Sequence, residues 1–420
     1  MAILDTPRAA DRQTDLPVGR RRFHVITDWL ARPRASFYLV LVPAVLLLAL
    51  GMMMVLSASS VFAHVQFGDA YYFVKRQIIF LLIGGVGAWW LARSSPRRLK
   101  LLGWGGLALA FVLQLLTYTP LGFEIKGNRN WVQFGTSLFR VQPSELAKLM
   151  LIVWGADLLA RKHKLLDQPK HLLVPFIPVA ALMIALVVLQ HDLGTGMIMG
   201  AIVVAMLWYV GASWRVLGSI GLVVGIGVLG LVATSGHRMS RILGFLNPTL
   251  DPMGVNLQPQ RGIFALASGG WWGLGLGASR QKWGMLVEAH TDYVLAIIGE
   301  ELGLVGTLIV LGLFMILGYA GLRIALRSDL RFFRYLAAGL TCWFMIQALV
   351  NVMVVLRMIP VLGVPLPLLS YGGSALMANM AALGMLLACA SHEPLARRQA
   401  ERKRRTAKPA VTTVVEGRRV

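Results

Sequence analysis

The apolar residues of this 420-residue chain are gathered into blocks of about 20, the length a helix needs to cross a bilayer. Ten such blocks lie near 37–59, 71–92, 101–119, 144–160, 172–189, 194–210, 217–235, 293–320, 333–356 and 375–391. A segment in hydrocarbon must pair its own backbone polar groups, so each block is predicted to be a helix. The chain is therefore predicted to be an all-α polytopic membrane protein with ten transmembrane helices. Charged residues make up 14%, against about 25% in soluble proteins, which excludes a soluble globule of two or three domains. The first block is too long and starts too late for a signal peptide, and reads as an uncleaved anchor. Cys342 and Cys389 both fall inside apolar blocks. That excludes a disulfide framework and a cysteine-based metal site.

Lys and Arg number 41 against 19 Asp and Glu, a balance that suggests nucleic acid until the positions are examined. Of those 41, 29 fall in the two tails and in the loops 93–100, 161–170, around Arg215 and 323–334. This alternation is the positive-inside pattern and predicts both termini in the cytoplasm. No aromatic interleaving or binding module accompanies the tails, which argues against a nucleic-acid partner. Residues 1–35 and 393–420 read as disordered basic cytoplasmic tails flanking a membrane domain over 36–392. Contact with anionic lipid, partner docking and plain solvation all suit them.

Two loops on the opposite side are long, 120–143 and the large extracytoplasmic loop 236–292 between helices seven and eight. The unusual polar residues gather in or beside them, so the chemistry is expected to face outward, away from ATP, on a preactivated membrane-carried substrate. Gly127 to Trp131 reads as a turn followed by an interfacial aromatic. Pro143, Ser144 and Glu145 suit a helix start. Lys148 shares a face with Glu145, as a structural ion pair or as a contact to pyrophosphate or sugar. Asp192 and Thr195 suit a helix cap or a site. Arg238 and Arg241, three apart, suit a phosphate headgroup or interfacial snorkelling. The run Gly269 to Gly277, with Trp271 and Trp272, lacks nucleotide-loop spacing. It reads as a loop packed closely on the spans, because irregular backbone at membrane depth needs cover.

The densest polar cluster follows: Arg280, Lys282, Glu288, His290, Thr291 and Asp292, then Glu300 and Glu301. Intramembrane carboxylates are functional candidates. Glu300 and Glu301 point about 100° apart on a helix, so at least one is expected to be structural, with Lys148, Arg357 or a helix end as its partner. Gln347 and Asn351 lie one turn apart. Residues 360–374 carry three prolines and three glycines, a stiff re-entrant or rim loop. Ser370 and Ser374 lack a nucleophile-elbow context. No His/Cys ligand set marks a metal, and an oxygen-ligated divalent cation such as Mg or Mn is left open.

Asn128–Phe134, Gln142–Lys148, Asp192–Thr195, Arg261–Gly277, Ser279–Asp292, Gly299–Gly306 and Pro360–Ser374, in this order, resemble the SEDS proteins (shape, elongation, division and sporulation) over residues 37–392. The likeness is nearest to the cell-division branch, through Ser279–Lys282 leading to Glu288–Asp292. Proline is common in the family where His191 and Val287 stand. The resemblance implies a SEDS fold and a peptidoglycan glycosyltransferase that polymerises lipid II during septal wall synthesis, with undecaprenyl pyrophosphate leaving. It implies a class B penicillin-binding transpeptidase and other divisome membrane proteins as partners, and places the enzyme in the bacterial cytoplasmic membrane. Asp292 matches the family's catalytic aspartate and is expected to be the general base. Arg238, Arg280, Lys282, Glu288, His290, Lys148, Glu145, Arg357 and Ser370 are the candidate substrate-binding residues. Asp192, Glu300, Glu301 and Asn351 are expected to support the site. A lipid II flippase and a non-catalytic divisome scaffold are the alternatives.

Overall fold

The computed structural model describes residues 30–399 except 126, 136–139, 166, 167, 169–171, 248–250, 252, 253, 255, 285 and 287. Most of both tails, and Val287, lie outside the described residues. The helices are α1 (Ala35–Phe67), α2 (Tyr72–Ala92), α3 (Pro96–Leu116), α4 (Pro143–Arg161), α5 (Phe176–Leu189), α6 (Leu193–Val210), α7 (Trp214–Ala233), α8 (Gly236–Leu246), α9 (Leu257–Gly269), α10 (Val294–Arg327), α11 (Arg331–Val355) and α12 (Gly373–Ser391). Eight of them (α1–α3, α6, α7 and α10–α12) are long and apolar enough to cross a membrane, so the chain is a multi-pass helical membrane protein. The other two predicted spans also appear as helices. However, α4 carries Glu145, Lys148, Asp157 and Arg161, and α5 has only 14 residues.

The fold is not purely α. Between α3 and α4 lies an antiparallel sheet of β1 (Gly122–Ile125), β2 (Asn128–Gln133) and β3 (Arg140–Val141), in the order β1-β2-β3. Gly122 pairs Val132, Phe123 pairs Trp131, and Val132 pairs Val141. Asn130 and Val132 are buried while their neighbours in β2 are not, the alternation of a half-covered strand.

Charge in α4 is tolerated because protein, not lipid, surrounds it. The helix packs on α3, α5, α6, α11 and α12, and nearly every residue from Pro143 to Leu159 is buried. At the other end of the bundle Asp157 is held by Lys100 at 3.1 Å and Arg161 at 2.7 Å, with Trp104 Nε1 donating to it at 3.1 Å.

The helix α10 is broken at Gly303 (φ 68°, ψ −166°). A Cβ on Gly299 would lie 3.4 Å from Thr307 Oγ1, a gap that a continuous helix would hold open at about 12 Å. The bend strands backbone groups on both sides, and the glycine-rich stretch pairs them. Leu274 N donates to Glu300 O (2.9 Å) and Gly275 N to Glu301 O (3.1 Å), while Leu304 N and Val305 N donate to Gly270 O and Trp271 O. The backbones meet so closely that a Cβ on Gly273 would stand 2.2 Å from Glu301 O. The stretch is thus a closely packed loop, as its composition suggests, with cover supplied where the helix opens.

Candidate functional site

A cavity of about 630 Å³ opens at the end of the bundle that carries the sheet, Arg241, Gln258 and the segment Glu288–Asp292. Segments distant in sequence contribute to its wall: Arg76 from α2, Asn130 and Arg140 from the sheet, Glu145 and Lys148 from α4, Asp192 and Thr195 at the start of α6, Arg241 from α8, Glu288, Thr291 and Asp292 before α10, and Val361–Pro365 with Tyr371–Gly373 leading into α12.

Asp292 is half-buried in this wall. Its backbone is fixed from α11: Asn351 Nδ2 donates to Asp292 O and to Val364 O, both at 2.8 Å. The same amide therefore ties the segment before α10 to the proline-rich loop. One turn away, Gln347 Nε2 donates to Pro365 O at 2.9 Å. The loop in turn closes over the acid, since a Cβ on Gly363 would lie 3.5 Å from Asp292 Oδ2. Arg241 faces Asp292. Burial lowers the Arg241 guanidinium from its ordinary value, and the opposing pull comes from the Asp292 charge and then Tyr293. Glu288 holds its backbone in the left-handed region (φ 57°) and accepts from Thr291 Oγ1 through Oε2 at 2.8 Å.

Lys148 donates to Glu145 Oε1 at 2.8 Å and Gln347 Oε1 at 3.2 Å, and its ammonium lies 5.3 Å from the centre of the Trp343 ring. Lys148 and Glu145 are only 2% and 3% exposed. The ion-pair geometry is therefore present, and the pair still forms part of the cavity wall. Asp192 caps α6: Oδ1 accepts from Thr195 N (3.0 Å), and Oδ2 accepts from Thr195 Oγ1 (2.9 Å). Oδ2 also accepts from Asn130 Nδ2 (2.8 Å) and Gln142 Nε2 (3.4 Å), which binds sheet and α4 to α6. His191 beside it has φ 68°, a conformation closed to proline.

Other predicted site residues lie elsewhere. Arg238, one turn from Arg241, donates to Leu231 O at 3.2 Å. Arg357 donates to Gly244 O (3.2 Å) and Asn256 Oδ1 (3.3 Å). His290 packs among Phe62, Phe73 and Tyr371. Ser370 Oγ accepts from Leu366 N at 2.8 Å, a turn cap rather than a nucleophile. Arg280 is exposed.

Lys282 is buried at a separate junction of α1 and α10, 3.4 Å from Glu301 Oε1, 3.3 Å from Ser57 Oγ and 2.5 Å from Gly277 O. Glu301 also accepts from Ser57 Oγ at 2.6 Å, while Glu300 accepts from Ser279 Oγ (2.5 Å) and Arg280 N (3.0 Å). The two acids are thus partnered by this junction, and not by Lys148 or Arg357 as the sequence suggested, because the bend at Gly303 brings 277–282 against them.

Arg76 and Arg140 line the cavity although the sequence reading passed over them. Arg76 donates to Tyr72 OH at 2.9 Å, and Arg140 donates to Gln133 Oε1 at 2.8 Å while stacking 4.0 Å over Phe123. Arg76 did carry a signal: an arginine one turn inside an apolar span is costly without a polar surround. Among the described residues no group of three or more His, Cys, Asp or Glu side chains is placed to hold a metal ion.

The FTSW_RODA_SPOVE family of cell cycle proteins matches residues 37–394. The chain is 41% identical over 368 residues to the probable peptidoglycan glycosyltransferase FtsW of Mycobacterium tuberculosis, covering 87% of this chain and 70% of that one. It is 36% identical over 357 residues to the stage V sporulation protein E of Bacillus subtilis, covering 83% and 95%. Among solved structures, the rod shape determining protein RodA of Thermus thermophilus is similar, with a TM-score of 0.60 at 27% identity over 87% of this chain and 99% of that one. A chain from a study of how a peptidoglycan synthase complex coordinates polymerization and crosslinking gives a TM-score of 0.68 at 27% identity, over 86% and 98%.

Proposed function

The chain belongs to the SEDS family, the FtsW, RodA and SpoVE cell cycle proteins, and is a peptidoglycan glycosyltransferase; from that premise we propose that it polymerises lipid II at the outer face of the cytoplasmic membrane, with Asp292 as general base. One observation carries this reading: Asp292 and four basic side chains, Arg76, Arg140, Lys148 and Arg241, line a single cavity at one end of the bundle, where the other acids, Asp192, Glu145 and Glu288, are engaged by Thr195, Lys148 and Thr291. The acceptor is the 4-hydroxyl of the lipid II N-acetylglucosamine. It attacks the anomeric carbon of the chain-terminal N-acetylmuramic acid, and the bond to undecaprenyl pyrophosphate breaks with inversion from α to β. The Asp292 carboxylate takes the hydroxyl proton. The leaving pyrophosphate is already acidic, so it needs neutralising charge more than a proton donor. Arg76, Arg140 and Arg241 supply that charge, and guanidinium geometry suits phosphate oxygens.

Ten spans with both termini inside complete the reading, α4 crossing within the protein's own cover and α5 with Leu182 and Leu189 exposed along one side. The likeness to a peptidoglycan synthase complex supports a class B penicillin-binding transpeptidase as partner. A flippase would need a polar path through the bilayer. Below Lys148, α4 instead presents buried Leu149, Leu151, Ile152 and Val153, which favours polymerisation. The test is glycan synthesis from labelled lipid II by Asp292→Asn, with thermal stability measured on the same sample. A loss of roughly 10²–10⁴-fold in a stable protein is expected. Wild-type synthesis would end the assignment.

A further inference from the structure

The chemistry above makes no use of the tryptophans beside the glycine-rich loop. Trp271, Trp272 and Trp283 are 68%, 82% and 67% exposed, with Leu274 and Leu276 exposed next to them. Their depth follows from the helices they touch. About 30 Å of helix separates Gly303 from Arg323 at the helical rise. Arg323 belongs to the basic cluster that the positive-inside pattern puts at the inner face, and about 30 Å is the thickness of the hydrocarbon core. Ser57, whose hydroxyl meets Glu301, lies about 33 Å along α1 from Ala35. Asn351, which touches Asp292 O, lies about 30 Å along α11 from Arg331. Three helices thus put the bend at Gly303 and the backbone of Asp292 at the outer edge of the hydrocarbon.

The surface below the loop faces lipid. Leu304, Leu308, Met315, Leu322 and Leu326 are exposed along one stripe of α10. This stripe rises from the arginine cluster and ends where Val305 N donates to Trp271 O. Large amphipathic rings at the top of a lipid-facing stripe, at headgroup depth, match an aromatic belt.

We infer that residues 270–283 are an interfacial anchor, with Trp271, Trp272 and Trp283 seated in the headgroup layer of the outer leaflet. The anchor is bonded to the chain that leads into the site. Its backbone pairs with residues 300–305, Ser279 and Lys282 hold Glu300 and Glu301, and Asp292 stands at the start of that same helical segment. The anchor therefore sets the depth of Asp292 against the layer that presents lipid-linked pyrophosphate. The inference rests on the outward-facing reading of this end of the bundle.

The experiment places the polarity-sensitive fluorophore NBD on Trp272→Cys, in a Cys342→Ser/Cys389→Ala background, in phosphatidylcholine and phosphatidylglycerol nanodiscs without any partner protein. The expected emission is blue-shifted and is quenched more by a headgroup nitroxide lipid than by a mid-chain one. Water-like emission quenched by iodide alone would overturn the anchor. So would blue-shifted emission that neither lipid quencher reaches, because protein, from a second copy or the chain itself, would then cover the patch. For the depth role, Trp271→Ser/Trp272→Ser should polymerise lipid II as wild type in detergent and less well than wild type in nanodiscs. Equal activity in both media would remove that role. Because the fluorescence readout involves no catalysis, its failure leaves the glycosyltransferase assignment standing.

Discussion

Asn351 is a single amide that donates to carbonyls of two different loops, Asp292 O and Val364 O. Removing it leaves two acceptors without that donor and frees Asp292, the proposed base, to drift, and a displacement of about 1 Å costs on the order of 10²-fold in rate. Asn351→Ala is therefore expected to lower kcat by roughly 10²-fold with KM little changed, since the basic residues of the cavity are untouched. A normal kcat would show that Asp292 needs no hold from α11. Glu301 is a different case. Its charge faces buried Lys282 and lies outside the cavity lining. Stranding one partner of a buried pair costs about 3–5 kcal/mol, so Glu301→Gln should lower thermal stability and membrane yield. A Glu300→Gln/Glu301→Gln protein of normal stability and yield would contradict a structural role. At this scale the sequence was legible in position: Asp292, Asp192 and the Glu145–Lys148 pair, all singled out by their place in the chain, stand in the cavity wall. It was not legible where the facing of a side chain decides. Arg238 and Arg241 are chemically alike and one turn apart, and only packing of α8 sends the second one into the cavity.

Among the elements, the bend in α10 concentrates the backbone demands. Gly303 has φ and ψ that are essentially confined to glycine, and Gly273 stands against the carbonyl of Glu301. Gly275 also has a positive φ, but nothing lies within 4 Å of a Cβ there. The two positions therefore separate strain from collision. Gly275→Ala should cost about 1–3 kcal/mol through strain alone. Gly273→Ala should cost more, because it also forces the loop off Glu301 and strands backbone groups at about 1–3 kcal/mol each. Thermal melts in one detergent would decide, and equal losses would mean that the loop yields without breaking its bonds. The composition of this stretch did announce a close-packed loop. The bend it covers could not be foreseen, because residues 293–320 read as one continuous span that happens to carry Glu300 and Glu301, and the conformation of Gly303 is set by tertiary contacts. The small sheet was hidden for a related reason. Its strands have four, six and two residues, too short for alternation to stand out from a polar loop.

For the whole molecule, sidedness is the property on which the chemistry depends most. Among the described residues, eight helices qualify as spans by length and composition. An even number of crossings leaves the termini on one side whether α4 and α5 both cross or neither does. What does depend on them is the sidedness of the segments between. With ten crossings, the sheet and the large loop 236–292 share a side, as the common cavity requires of Arg140 and Asp292. If α4 and α5 both failed to cross, α3 would still end on the cavity side. Lys162 and Lys164 would then lie there too, although Asp157 and Arg161 pack with Lys100 at the opposite end of the bundle. The proposed orientation rests on the positive-inside distribution, since 29 of 41 basic residues fall in the tails and the loops assigned to the inner side. In a Cys342→Ser/Cys389→Ala background, a membrane-impermeant maleimide added to intact cells should label Asp251→Cys and leave Arg97→Cys unlabelled until the membrane is opened. Labelling of Arg97→Cys alone in intact cells would invert the molecule. The cavity would then face the cytoplasm, where polymerisation of wall glycan has no use.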